Sequence, residues 1–373
     1  MKKVCLFFIL IFLAAGVVFS QSISGVFDST VNYVNGAEGS PSHLWGIEEF
    51  VNLRLRINTS DNTTFFASFN FIAASGTFAP AVAASSGASI YGENYIAAME
   101  LERLYFRING EHVDTEAGLL RMNFGYGQVW GSSDFLNPRN PMAYNARPRG
   151  VLGANFTWYP DFTLRMMGFI SGPRNPFEFD GSGFIPGFLL EKHWDTLSMQ
   201  GIYALETPGQ NNRLGLHRFG LSVKADFELG FVVDALYTLN PDNAQGIDGL
   251  SFGAGFDYSF LDGDLIIMAE YLYNGSASVT ALGYGGNFVN NHFIFTSATY
   301  RFNDFFTGTL STILCLDDPS FQPIIRLDYE LFQGFMLNFS LQVPMDLGSN
   351  KGELGPSGTG ARAIVNAGAR LRF

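Results

Sequence analysis

Ser320 to Phe332 reads SFQPIIRLDYELF, and its parity decides the architecture. Phe321, Pro323, Ile325, Leu327, Tyr329 and Leu331 alternate with Gln322, Ile324, Arg326, Asp328 and Glu330, and only Ile324 spoils the polar side. A two-residue period means a strand with one apolar and one wet face. LSFGAGFDYSF at 250–260 repeats it, with Phe252, Ala254, Phe256, Tyr258 and Phe260 against Ser251, Gly253, Gly255, Asp257 and Ser259. FMLNFSLQV at 335–343 does so again. A soluble sandwich shows the same alternation, so one strand does not separate the two.

The breaks separate them. Strands are expected near 23–33, 45–57, 63–73, 95–108, 112–122, 149–158, 162–171, 184–192 and 196–205, then near 214–227, 231–239, 250–260, 264–273, 292–302, 305–315, 321–331, 335–343 and 361–373. Runs of about ten residues suit a tilted crossing of a hydrocarbon layer. Short connections such as Asn109-Gly110, His193-Trp194 and Asn303-Asp304 alternate with longer ones at 74–94, 123–148, 172–183, 274–291 and 344–360. The step from Cys315 to Ser320 is short for its side. The reading is all-β: a closed antiparallel transmembrane barrel of about eighteen strands, sixteen being the alternative, with short periplasmic turns and long extracellular loops. Closure is obligatory, because an open edge in hydrocarbon leaves backbone groups unpaired.

Composition agrees. Charged residues are 15% of the 373, against roughly 25% in soluble proteins, while 38 residues are Phe and 42 Gly. The opening MKKVCLFFILIFLAAGVVFSQS has the form of a secretory signal peptide, expected over 1–20 with cleavage after Ser20, a retained anchor being the alternative. That leaves Cys315 alone, so no internal disulfide is expected. Without Lys2 and Lys3 the net charge is 20 − 34 = −14, which gives nucleic-acid binding no support. No later apolar run reaches 18 residues.

In YIAAMELERLYFRI the apolar parity switches between Leu101 and Leu104, which predicts a β-bulge near Glu102-Arg103. The chain ends GARAIVNAGARLRF, with Ala361, Ala363, Val365, Ala367, Ala369, Leu371 and Phe373 on one face. This resembles the terminal strand of Gram-negative outer-membrane barrels, porin-like ones included. The resemblance implies export to the outer membrane, with lipids and the barrel-assembly machinery as partners and Phe373 as the assembly signal.

QVWGSSDFLNPRNP, Gln128 to Pro141, interrupts the pattern. Three prolines at 138, 141 and 148 forbid strand, and Trp130, Phe135 and Leu136 need something to pack against. Loop 123–148 is therefore expected to fold inward and narrow the lumen, as one early loop does in porin-like barrels. Trp130, Asp134, Arg139, Arg147 and Arg149 are its expected constriction residues. Arg54, Arg56, Arg326, Arg362, Arg370 and Arg372 share the inward parity, as do Asp226, Asp234, Asp257 and Glu270. The arginines of the first and last strands would form a basic wall facing these acids, a transverse field favouring polar solutes. Mutual pairing, with no selection, is the plainer alternative.

Chemistry finds little purchase. The five His are scattered, and PDNAQGIDG at 241–249 places Ala244 and Gly246 where calcium ligands belong. No enzyme, metal or cofactor is expected. The leading function is passive diffusion of small polar solutes. A surface adhesin or structural barrel is the alternative; behind it come a polysaccharide exporter and a hydrophobic-compound transporter.

Overall fold

The computed structural model describes residues 20–38, 40–86, 94–137, 150–172, 183–208, 215–241, 246–275, 288–348 and 351–373. The first strands are β1 Ser20–Gly36, β2 His43–Ser60, β3 Thr63–Gly76, β4 Tyr95–Asn109, β5 Val113–Leu120 and β6 Val151–Asp161. Then come β7 Leu164–Ser171, β8 Ile185–His193, β9 Leu197–Glu206, β10 Leu216–Asp226, β11 Gly230–Leu239, β12 Leu250–Phe260 and β13 Leu265–Asn274. The last are β14 His292–Asn303, β15 Phe306–Cys315, β16 Ser320–Phe332, β17 Phe335–Gln342, β18 Met345–Asp346 and β19 Ala361–Arg372.

Each long strand pairs antiparallel with its sequence neighbours, and β1 pairs with both β2 and β19, so the sheet closes. The wall has eighteen long strands, and the two-residue β18 only extends the edge of β16 through Met345 and Asp346. The sixteen-strand alternative is excluded. The step from Cys315 to Ser320 is a tight turn on the long-loop side and leaves the count intact. Short turns are tight enough to need left-handed backbone, as at Asp262 (φ 55°) and Gly263 (φ 93°).

The β3–β4 register skips Glu102: Ser68 faces Arg103 and Phe69 faces Leu101. On either side of this bulge Met99, Leu101, Leu104 and Phe106 all remain exposed on the outer surface. One extra residue thus keeps the apolar stripe outward through the phase change. Expected strand 112–122 ends instead at Leu120, because the β4–β5 ladder stops at Leu104–Leu119 and the chain then leaves the wall.

Outward positions carry a continuous band of exposed apolar side chains, among them Phe27, Val31, Phe156, Leu221, Phe256, Leu310 and Ile325. A band this extensive is far larger than the apolar patches a soluble protein exposes, and it suits a bilayer. The inner wall departs from expectation: it is not wet throughout. Ile185, Leu189, Ile202, Met167 and Phe169 point inward and are buried in one apolar cluster with chain from the β5–β6 connection. A second cluster joins Leu272, Phe293, Ile313 and Cys315 of the wall to Trp130, Phe288 and Leu354 from three connections.

The connection after β3 also holds α1, Ala79–Ser86. Alanine-rich sequence with Pro80 in the first turn suits a helix start. Ala79, Val82 and Ala83 pack on Ala74 and Ile96, which face the lumen. The described half of this connection therefore lies inside the mouth. A second short helix, α2 Pro356–Thr359, precedes β19.

Candidate functional site

The chain turns inward after Leu120. Arg121 donates to Glu102 Oε1 at 2.5 Å, which fixes the departure point beside the bulge. Met122, Phe124, Phe135 and Leu136 then bury against the apolar inner wall, and Phe124 stacks on Phe135 at 5.3 Å and meets Phe169 at 5.0 Å. Asn137 Nδ2 donates to the Met122 carbonyl at 2.7 Å, closing 122–137 on itself. Glycine is required at Gly125, where φ is 76° and a Cβ would lie 2.1 Å from Ser133 Oγ and 2.7 Å from the Asp234 carboxylate.

A loop in a barrel has no ladder partner for its N–H groups, so the wall supplies acceptors. Gly125 donates to Gln200 Oε1 and Tyr126 to Ser222 Oγ. The Glu270 carboxylate accepts the backbone N–H groups of Gln128 (3.2 Å), Val129 (3.1 Å) and Trp130 (3.0 Å). Asp234 accepts from Ser133 at 3.1 Å, and Asp257 accepts from the Gln128 side chain at 2.9 Å. Tyr126 donates its hydroxyl to Glu191 at 2.6 Å. Burial first, and then that carboxylate, push the Tyr126 phenol above its ordinary range, so it stays a donor. The segment is stapled to β8 through β13.

These contacts revise the expected roles. Trp130 is fully buried between Phe288 and Phe293, with its indole donating to the Glu270 carbonyl at 3.2 Å. Asp134 is buried and receives the Asn137 N–H at 3.1 Å. Both build the loop and neither lines the lumen. Arg139, Arg147 and Arg149 lie outside the described residues. Asp234 and Glu270 do point inward, yet the loop covers them, so they are anchors and not an open acidic row. Asp257 stays on the inner face, and Asp226 sits near a short turn, paired with Lys224 at 2.9 Å.

Beside the point where the loop leaves the wall, β1, β2, β4 and β19 together with Arg121 border an open cavity of about 560 Å³, lined among others by Asp28, Arg54, Glu102, Arg370 and Arg372. Arg370 grips Asp28 with two bonds, 2.6 and 3.1 Å. Glu102 Oε2 accepts from Asn52 and Ser68, and Asn52 Oδ1 accepts from Arg54 Nε at 2.6 Å. The expected basic wall is thus real as a place but interleaved with acids. Arg56 and Arg362 share its parity farther along their strands and are exposed. Arg326 lies 3.8 Å from Asp328 on the inner face of β16. Sequence reading missed Arg121, Asp28 and the carboxyl role of Glu102. Glu102 carried a signal, since the parity switch falls on it.

The geometry has counterparts. OccAB4 of Acinetobacter baumannii matches with a TM-score of 0.63 at 10% identity, covering 95% of this chain and 99% of that one. A BenF-like porin from Pseudomonas fluorescens Pf-5 matches at 0.62 and 8% identity, covering 95% and 98%. OccK9 (OpdG) of Pseudomonas aeruginosa matches at 0.60 and 12%, again covering 95% and 98%. The fold is that of a porin-like barrel. No family model and no curated protein matches the sequence.

Proposed function

We propose that this chain is an outer-membrane channel for passive diffusion of small polar solutes, its lumen narrowed by the segment after Leu120. One observation carries the reading. Inside a closed barrel, residues 122–137 are bonded to one wall, and a charge-lined cavity of about 560 Å³ is left against the other. Fixed charges of both signs in a narrow passage favour hydrated, polar solutes over apolar ones. The reading is non-catalytic. It includes export through a cleaved N-terminal signal, assembly in the outer membrane by the barrel machinery with Phe373 as its signal, and small polar solutes as cargo. The net negative charge offers nucleic acid no binding face.

The adhesin reading needs long free loops, but α1 of the 74–94 connection packs against the inward faces of β3 and β4. Purified protein in planar bilayers tests the proposal. Stepwise conductance, with liposome permeability to small sugars and exclusion of larger ones, is expected. A folded barrel that conducts nothing would overturn it.

A further inference from the structure

Three tyrosine–histidine pairs repeat one geometry on the outer surface. The Tyr33 hydroxyl lies 2.9 Å from His43 Nδ1, the Tyr203 hydroxyl 2.9 Å from His217 Nδ1, and the Tyr271 hydroxyl 2.7 Å from His292 Nδ1. The ring centroids are 6.0, 6.1 and 6.1 Å apart. In each pair the tyrosine belongs to a strand rising to the long-loop end. The histidine is the first or second residue of the strand that descends from it, β2, β10 or β14. The ladders make the offset identical: each histidine sits two residues before the direct partner of its tyrosine, which is Trp45, Phe219 or Ile294. All six side chains take the lipid-facing parity, and none is buried.

Tyrosines at this level need no further reason, since aromatic rings gather at membrane–water interfaces. The histidines do. Three of the chain's five stand here, and among the described residues no Lys or Arg takes an outward strand position at this end. A hydroxyl that donates to Nδ1 fixes the proton of the neutral imidazole on Nε2. Each clasp thus holds a ring whose remaining nitrogen is a hydrogen-bond donor, at the depth where lipid headgroups begin.

We propose that the three clasps bind lipid headgroups through their phosphates. A phosphate oxygen is the ionised acceptor at that depth, and a bond to an ionised acceptor is roughly twice as strong as a neutral one. The spacing identifies lipid, and not a protein, as the occupant. Counted around the eighteen long strands, the clasps are eight, four and six strands apart. A docked protein covers one side of a barrel, whereas lipid surrounds it. Three contacts spread in this way fix the height and tilt of the barrel in its leaflet. The third clasp differs: Asp317 accepts the His292 backbone N–H at 2.7 Å, so a carboxylate beside it opposes an anion. It should hold its lipid least tightly. The inference rests on the closed barrel and its lipid-facing band, and not on what the lumen carries.

The test counts the lipids that the folded barrel retains in native mass spectrometry. The protein is released from detergent micelles containing phosphatidic acid, or a galactosyl diacylglycerol with the same acyl chains and no phosphate. Wild type should retain three molecules of phosphatidic acid and no comparable set of the galactolipid. His43→Phe and His217→Phe, which keep an aromatic ring and remove its donor, should each lose one. His292→Phe should lose the molecule that leaves first as collision energy rises. Combining the three Phe substitutions should remove all three lipids, and His→Gln at the same positions, which restores an N–H donor, should recover them. Heat-modifiability shows that each variant is folded, and the single variants carry the test if the triple variant does not fold. Equal retention of both lipids by wild type, unchanged retention in the Phe variants, or binding of inorganic phosphate in place of lipid would each overturn the proposal.

Discussion

Glu270 holds Trp130 twice: its carboxylate receives the Trp130 backbone N–H at 3.0 Å and its carbonyl receives the indole N–H at 3.2 Å. One wall residue thus fixes both the path of the loop and the seat of its largest side chain. The same carboxylate takes the amides of Gln128 and Val129. A carboxylate ringed by backbone donors is a strong, directional anchor.

Glu270→Ala should release the loop without opening the wall, because no ladder bond uses that side chain. Each buried N–H left unpaired costs about 1–3 kcal/mol, so the seated state should no longer dominate. Single-channel recordings should show larger and noisier conductance, with heat-modifiability retained. Trp130→Ala should act in the same direction, removing a fully buried side chain worth about 3–5 kcal/mol. Quiet, wild-type conductance in both variants would mean that the loop is held by something else.

Phe256 and Asp257 are adjacent and face opposite ways. Phe256 is 44% exposed on the lipid face, and Asp257 reaches Gln128 on the inside. Phe256→Asp should lower unfolding stability in lipid by up to about 2 kcal/mol, less than the roughly 2–4 kcal/mol of a mid-membrane Arg or Lys. Asp257→Asn keeps an acceptor for Gln128 and should be nearly neutral. Urea titration of both folded barrels in vesicles measures the difference.

Phe373 closes the ring chemically as well as by sequence. Gly25 donates to the Phe373 carbonyl at 2.7 Å, and Phe373 donates back to Gly25 at 3.1 Å. Its ring also covers Gly25, where a Cβ would lie 2.5 Å from it. Deleting Phe373 removes both closing bonds, whereas Phe373→Ser keeps them and removes only the ring. If the ring is the assembly signal, both variants should accumulate less folded barrel than wild type, measured as heat-modifiable protein in isolated outer membranes. If backbone closure is what matters, Phe373→Ser should assemble normally.

Most of the wall was legible because burial in lipid and water imposes a strict period. Leu327 beside Asp328 marks a strand with one apolar and one wet face, the spacing of the breaks marks the barrel, and even the bulge showed itself where Leu101 and Leu104 change parity. The inner core was harder. Trp130 meets Phe288 and Leu354, more than 150 residues away in sequence, and no local pattern encodes such a contact. A weaker signal existed in IPGFLLEKH of β8, where Ile185 and Leu189 are apolar on the parity that should be wet. An apolar residue on both faces is what a strand needs when lipid lies on one side and a buried loop on the other. APAVAASS likewise reads as a helix once Pro80 is taken as a start signal.

Asp318 predicts a pH response at the outer mouth. Burial alone would raise its carboxyl, but the Ser320 hydroxyl, the Glu353 amide and further donors hold it below the ordinary carboxylate range. A depressed folded value means that its clasp stabilises fully above the unfolded pKa, about 3.9, and fades as pH falls through the lower folded value. Proteolysis within 343–360 should therefore stay slow at about pH 5 and quicken only below about pH 4. Asp318→Asn should remove that pH dependence. Identical acid sensitivity in the variant would assign the response to another group.

Charge preference should follow from the two ways in which arginines are held in the cavity. Arg370 is neutralised at close range by Asp28, whereas Arg54 Nε bonds to the uncharged Asn52 amide. Asp28→Asn leaves the Arg370 side chain with an acceptor but removes the countercharge, so the lining becomes more positive. Arg54→Ser and Arg372→Ser make it less so. In a salt gradient the reversal potential should move toward anion preference in the first variant and toward cation preference in the other two. A shift on the order of twofold in permeability ratio corresponds to about 0.4 kcal/mol, a modest change suited to charges screened by salt within about 10 Å. The sugar cutoff should not move in any of the three, because none of these residues touches the loop in the contacts described above. If all three leave the reversal potential where it was, solutes pass along another part of the lumen, and the cavity beside β1 and β19 is not the path.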